Sequence, residues 1–233
     1  MSRNKLKKFA ELTVLPIVFE NSDSSKPKLT QGDNVEVDMK GQWSAFFKNE
    51  NPIVLELACG RGEYAVALSA IYPYKNFIGV DIKGARLHQG ATRAMEQNLS
   101  NVAFLRTRIE QIELFFSENE ISEIWITFPD PFLRESKRNR RLTSIPFLTR
   151  YCKFLKHSGV IHLKTDSTEL YDFTLETLSS QSLFKLTDYD NDIYSKPISV
   201  PELNVKTYYE KKHLQDGRLI KYIKCERTMD KGQ

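Results

Sequence analysis

The chain has little cysteine. Cys59, Cys152 and Cys225 are its only three, an odd number without metal-ligand spacing. That speaks against a disulfide framework or a cysteine-built metal site and fits reduced thiols in a cytoplasm. The four histidines (His88, His157, His162 and His213) lack partner spacing as well, so they read as structural or exposed, and no metal is expected. Long apolar runs are missing. Residues 121–128 form one of the longest, far too short to span a bilayer, and no signal-peptide core follows the basic residues 1–8. Charge of one sign is not in large excess either, at a net +4. Its placement is uneven: residues 134–141 carry five bases and one acid, and residues 110–123 carry five acids and no base. A mild net charge with one concentrated basic patch suits nucleic acid better than a generally sticky surface.

What is present is a soluble globular chain of 233 residues, 40% apolar and 27% charged, long enough for a proper core. Residues 1–50 have weak periodicity and a polar stretch at 21–28; they are expected to form a partly flexible N-terminal extension with a short helix near 42–47. The main domain is expected over 51–233. There the pattern predicts strands at 53–57, 76–81, 102–105, 121–127 and 159–164, alternating with helices at 63–72, 85–99, 109–116, 144–155 and 167–179. Pro146 falls in the first turn of its helix, where proline is tolerated. After Phe184 the alternation stops, and residues 184–189 and 219–226 supply an antiparallel edge hairpin. The order predicts an α/β fold, a doubly wound sheet with helices on both faces, and no second domain. Trp43 and Trp125 read as core residues.

Residues 56–62, Glu-Leu-Ala-Cys-Gly-Arg-Gly, join the first main-domain strand to its helix. In a doubly wound sheet, ligands sit at the carboxyl ends of the strands. Ala58, Gly60 and Gly62 let a ligand approach the backbone, glycine permits the tight turn, and Cys59 reads as one more small residue. Asp81 ends the next strand, 19 residues beyond Gly62; a carboxylate there can accept both hydroxyl hydrogens of a ribose. These features imply an adenosine-containing cofactor. The third glycine of a dinucleotide fingerprint is missing, and Glu63 stands where it would repel a pyrophosphate. Glu56 suits an ammonium or sulfonium group. S-adenosylmethionine is therefore favoured over NAD.

Phe128-Pro129-Asp130-Pro131-Phe132 follows the strand at 121–127. The two prolines stiffen the backbone around Asp130. Arg134, Lys137, Arg138, Arg140 and Arg141 come directly after, so a fixed acid is held close to a phosphate-rich substrate. Lys137, Arg138, Arg140 and Arg141 are the candidate phosphate contacts. Asp166 precedes Ser167 and a helix, which leaves a helix-cap role open. Residues 207–211 likewise read, without a ligand, as the lead-in to an edge strand.

Four ordered blocks resemble the bacterial tRNA (guanine-N7)-methyltransferases over residues 53–226: residues 56–62; residues 128–132 with Arg140-Arg141-Leu142-Thr143; Lys164-Thr165-Asp166; and Thr207-Tyr208-Tyr209-Glu210-Lys211. The resemblance implies a mostly parallel seven-stranded, Rossmann-like methyltransferase fold and S-adenosylmethionine bound by Glu56 and Asp81. It also implies that Asp130 is catalytic and touches the cofactor where it meets the substrate. Arg134, Asp166, Thr207, Tyr208, Tyr209 and Glu210 are then tRNA or guanine contacts. The base implied is the guanine at position 46 of the tRNA variable loop. Five departures stand out: Ala58 where glycine is usual, Asp81 for glutamate, Phe132 for tryptophan, Ser136-Lys137 for Arg-His, and Arg108 where an acid near the adenine is expected.

Guanine N7 carries an in-plane lone pair, so its methylation needs no proton acceptor, only positioning and negative charge near the developing cation. Asp130 is the candidate at the reaction centre, with Asp166 and Glu210 accepting from the N1–H and 2-amino groups. Two other readings compete. An RNA exocyclic-amine methyltransferase matches Pro129-Asp130-Pro131-Phe132 only in part and leaves residues 207–211 unexplained. A non-catalytic RNA-binding subunit of the same fold is opposed by Glu56, Asp81 and Asp130. Monomer and homodimer are both compatible with the sequence.

Overall fold

The computed structural model describes residues 11–198 and 200–229. They fall into two compact units, one ending at Ser117 and one beginning at Glu118. The basic residues 3–8, expected within the flexible extension, lie outside the described residues.

The first unit contains β1 (Val18–Glu20), β2 (Leu29–Gln31), β3 (Val35–Val37), α1 (Trp43–Phe47), β4 (Ile53–Leu57), α2 (Glu63–Ile71), β5 (Asn76–Asp81), α3 (Gly84–Glu96) and β6 (Val102–Arg106). Its strands lie in the order β3-β2-β1-β6-β5-β4. β4, β5 and β6 pair in parallel, with α2 and α3 as the crossovers, and β1 adds in parallel to β6. β2 and β3 follow antiparallel. Every residue of β4 and β5 is buried, so these strands read as apolar runs rather than alternations. α3 buries one stripe, including Leu87, Ala91 and Ala94, at helical spacing. Residues 18–37 gave no strand signal because three-residue strands are too short to display a period of two. Trp43 is fully buried as expected: its Nε1–H donates to the Phe115 carbonyl at 2.9 Å, and its ring stacks on Phe116 at 5.4 Å.

The second unit contains β7 (Ile121–Thr127), α4 (Ile145–Tyr151), β8 (Leu155–Thr165), α5 (Thr168–Ser179), β9 (Phe184–Asp190), α6 (Tyr208–Gln215) and β10 (Lys221–Arg227). Its order is β7-β8-β10-β9, with β7 parallel to β8 and β10 antiparallel to both β8 and β9. The expected hairpin therefore has β9 at the edge and β10 inside. β4 to β10 are the seven expected strands; β1 to β3 add three, for ten among the described residues. The class, a mostly parallel α/β fold, stands. Three main-domain segments differ from the sequence expectation. The helix expected over 144–155 ends at Tyr151, and β8 begins at Leu155 rather than 159. Residues 109–116 form a short 3-10 turn, Ile109–Leu114, not an α-helix. Residues 207–211 start a helix rather than lead into a strand: Thr207 caps α6, its hydroxyl accepting the Glu210 N–H at 3.2 Å. The Thr-x-x-Glu capping pattern was a visible signal for that helix start. Among the described residues no helix is long and apolar enough to cross a membrane.

Candidate functional site

The turn after β4 is built from alternate left-handed residues. Ala58, Gly60 and Gly62 have φ of 55°, 57° and 60°. The loop folds back so that the Cys59 N–H donates to the Val80 carbonyl at 3.0 Å, and the Gly60 N–H donates to Asp81 Oδ2 at 2.8 Å. The other Asp81 oxygen accepts the Lys83 N–H at 2.7 Å, and Glu56 Oε2 accepts the Ala65 N–H at 2.8 Å. Each Asp81 oxygen keeps a lone pair beyond its amide partner. Ala58 is the one residue of the alternating three with a Cβ, a conformation costing about 1–2 kcal/mol, which accounts for glycine being usual there. At Gly62 an added Cβ would stand 2.4 Å from the Phe104 ring, and the same ring lies against Gly79 and Gly90. Phe104 is thus the floor under the loop, a role that no local pattern signals. Burial raises the Cys59 thiol pKa, and the charges of Glu56 and Asp81 raise it further, so this cysteine is an inert small residue. Arg108 and Glu110 are both exposed, at the start of the 3-10 turn after β6.

In the second unit, β7 ends at Thr127 and the chain turns at Phe128, whose φ is 49° and whose N–H donates to the Lys164 carbonyl at 2.8 Å. Asp130 is exposed, and its Oδ1 accepts the Phe132 N–H at 3.1 Å. Phe132 is again left-handed, with φ of 42°. Arg134, Lys137, Arg138 and Arg140 are exposed on and beside the 3-10 turn Glu135–Arg140. Arg138 pairs with Glu135 at 2.7 Å, and the Arg140 guanidinium lies 4.9 Å from the Phe132 ring centre. Arg141 departs from its expected role as a phosphate contact. It is buried; its Nε donates to the Pro131 carbonyl at 3.0 Å and its Nη2 to the Phe132 carbonyl at 3.2 Å, with the guanidinium 4.4 Å over Phe173.

At the end of β8, Asp166 accepts from Arg218 Nη1 at 2.6 Å and lies 3.7 Å from His213 Nδ1. It is not the cap of α5; Ser167 is, accepting the Leu170 N–H at 3.1 Å. Glu210 also departs from expectation. Its carboxylate is fully buried, held by Lys164 Nζ at 2.7 Å and by the Tyr194 hydroxyl at 2.6 Å. No atom of it is exposed to accept from a base. Lys164 donates further to the Leu203 and Val205 carbonyls at 2.9 and 3.1 Å. Burial lowers the Lys164 pKa against the pull of Glu210, and burial with the Glu210 contact raises that of Tyr194. Thr207 is buried, whereas Tyr208 and Tyr209 are exposed and meet edge-on at 5.5 Å. Tyr209 stacks on His213 at 6.5 Å, and His213 faces Phe128 at 5.8 Å. His213, read as structural or exposed, therefore joins Asp166, Phe128 and Tyr209; the contacts with Asp166 and Phe128 leave no sequence signal because those residues lie far away along the chain. Among the described residues no group of three or more His, Cys, Asp or Glu side chains could hold a metal ion.

Residues 50–223 match a protein-family model described as "Putative methyltransferase". The chain is 50% identical to the tRNA (guanine-N(7)-)-methyltransferase of Bacteroides fragilis over 96% of its own length and 86% of the relative's. It is 47% identical to the enzyme of that name from Christiangramia forsetii, over 96% and 97%, and 36% identical to that of Clostridium novyi, over 80% and 86%. In fold it is similar to the 16S rRNA methyltransferase KamB, with a TM-score of 0.62 at 13% identity over 86% of this chain and 99% of that one. The loop after β4, the Pro-Asp-Pro turn after β7 and the Lys164–Asp166 end of β8 all fall within the matched span, and the chain belongs to the tRNA (guanine-N7)-methyltransferase family.

Proposed function

We propose that the protein transfers a methyl group from S-adenosylmethionine to N7 of a guanine in tRNA. The observation that carries this reading is the pair of buried carboxylates, Glu56 and Asp81, set around a loop left-handed at residues 58, 60 and 62. A pyrophosphate would be repelled by two acids there, whereas ribose hydroxyls and a cationic amino-acid moiety find acceptors. The donor set therefore fits S-adenosylmethionine: Asp81 for the ribose hydroxyls, Glu56 for the cationic end, and Ala58, Gly60 and Gly62 for close backbone approach. When bound, that cofactor supplies an electrophilic methyl group on a sulfonium.

The rest of the work belongs to the chain's own residues. N7 has a free lone pair, so no residue has to remove a proton. The purine gains positive charge on methylation, and Asp130, in its proline-stiffened turn, is the carboxylate that stabilises it. Asp166 accepts from the N1–H and 2-amino donors, and Tyr208 and Tyr209 offer ring faces to the base or its neighbours. Thr207 and Glu210 act behind them, fixing the start of α6. Arg134, Lys137, Arg138 and Arg140 neutralise tRNA phosphates without reading sequence.

The test is to incubate the protein with methyl-labelled S-adenosylmethionine and unmodified tRNA, then map the label by cleavage at N7-methylguanine, with guanine 46 as the first position to inspect. Label at guanine N7 is expected. Label on an exocyclic amine would make the protein an RNA amine methyltransferase, and cofactor binding without label would make it a binding subunit.

A further inference from the structure

Two neighbouring arginines in the basic run differ in burial. Arg140 is exposed, whereas Arg141 is buried with two of its nitrogens on consecutive carbonyls of the acid-bearing loop. Those carbonyls belong to Pro131 and Phe132, the two residues directly after Asp130. The loop needs such a hold. Phe128 and Phe132 both occupy the left-handed region, which bulky residues rarely adopt and which persists only where the surroundings over-determine it. Asp130 itself contributes one local bond, to the Phe132 N–H. Phe173, on α5, lies 4.4 Å from the Arg141 guanidinium, so the planar group is held by an aromatic ring as well as by two carbonyls.

We propose that Arg141 is a positioning residue for Asp130, fixing the Pro131–Phe132 backbone from inside the protein, and that it makes no phosphate contact. A planar fork with donors in fixed directions suits two adjacent carbonyls; a lysine ammonium, a point charge on a flexible stem, does not. Loosening this hold displaces the Asp130 carboxylate, and a shift of about 1 Å at a reacting centre can cost about a hundredfold in rate. The inference rests on the reading of Asp130 as the reaction-centre carboxylate.

The experiment compares Arg141→Lys with Arg140→Gln in the full-length protein, by single-turnover methyl transfer at saturating tRNA and by tRNA binding across a salt series. Arg141→Lys is expected to lower the single-turnover rate at least about tenfold while tRNA affinity and its salt slope stay at the wild-type values. Arg140→Gln is expected to weaken tRNA binding and to reduce the salt slope by about one. A third arm places Arg141→Lys on an Asp130→Asn background, where its rate penalty should largely vanish if it acts through Asp130. A purely structural role would leave the penalty intact. A wild-type rate in Arg141→Lys, a flattened salt slope in that variant, or an undiminished penalty on the Asp130→Asn background would each overturn the inference. Failure of the underlying reading is separable: Asp130→Asn alone would then turn over like wild type. Thermal unfolding and cofactor titration of Arg141→Lys ensure that the rates come from folded protein.

Discussion

The two strand-end turns, one in each unit, keep their acids in different company. In the first unit Glu56 and Asp81 are bonded to backbone amides, those of Ala65, Gly60 and Lys83. In the second unit three acids pair with cations: Asp166 with Arg218, Glu210 with Lys164, Glu135 with Arg138. Asp130 differs from these three. It bonds one amide, and among the described residues it has no cationic partner. Like Asp81 it accepts from a backbone amide, although it is exposed where Asp81 is buried and arginines follow it closely in sequence. A carboxylate held by amides keeps its charge available to a ligand, whereas one matched to a buried ammonium is already committed to the fold.

The comparison can be broken most severely at the buried pair. Lys164→Met leaves the Glu210 carboxylate fully buried without its cation and should destabilise the protein by about 3–5 kcal/mol, read as a lower urea midpoint. Replacing both residues by apolar ones should recover most of that loss. If the single substitution costs nothing, the pair does not hold α6.

Asp130→Asn keeps the shape and removes the charge. It should lower kcat by about 10²–10³-fold, with cofactor affinity by titration calorimetry within about twofold of wild type. Near-wild-type turnover would remove Asp130 from the reaction centre.

Gly62→Ala sharpens the first-unit side. Its Cβ would meet the Phe104 ring at 2.4 Å in a left-handed backbone, so a stability loss of about 1–3 kcal/mol is expected together with weaker cofactor binding. The reverse change at residue 58, Ala58→Gly, should be neutral or stabilising by up to about 1 kcal/mol in a thermal melt.

The smallest effect is a pH dependence. His162 is buried, stacked on Trp125 at 4.0 Å, and burial lowers its pKa below 6.5 despite Glu123. Below 6.5 the unfolded imidazole takes up a proton that the folded one refuses. Stability should therefore fall as pH drops from 6.5 to the folded pKa, by at most about 1.4 kcal/mol per pH unit. His162→Phe should flatten that part of the profile.

Short-range patterns carried the cofactor half well. Gly60, Gly62 and Asp81 were legible because a turn after a strand demands positive φ and because a strand end fixes where a carboxylate sits. The helix start at Thr207 is also legible, through Thr-x-x-Glu, although a strand follows it closely. Phe104, His213 and the Arg218–Asp166 pair were not, since each depends on partners brought close only by packing.

By itself, then, the sequence determined the alternation of strands and helices, the acids at strand ends, the stiff Pro-Asp-Pro turn and the family blocks, because all of these are set by residues close to one another along the chain. Which charges remain available depends on packing. Arg140 and Arg141 are adjacent and chemically identical, yet one is exposed and the other holds two carbonyls beneath Phe173. Asp130 and Glu210 carry the same charge, yet one is exposed and the other is buried against Lys164. A side chain's chemistry is written in its own residue, but its solvation and its counter-ion are supplied by the fold.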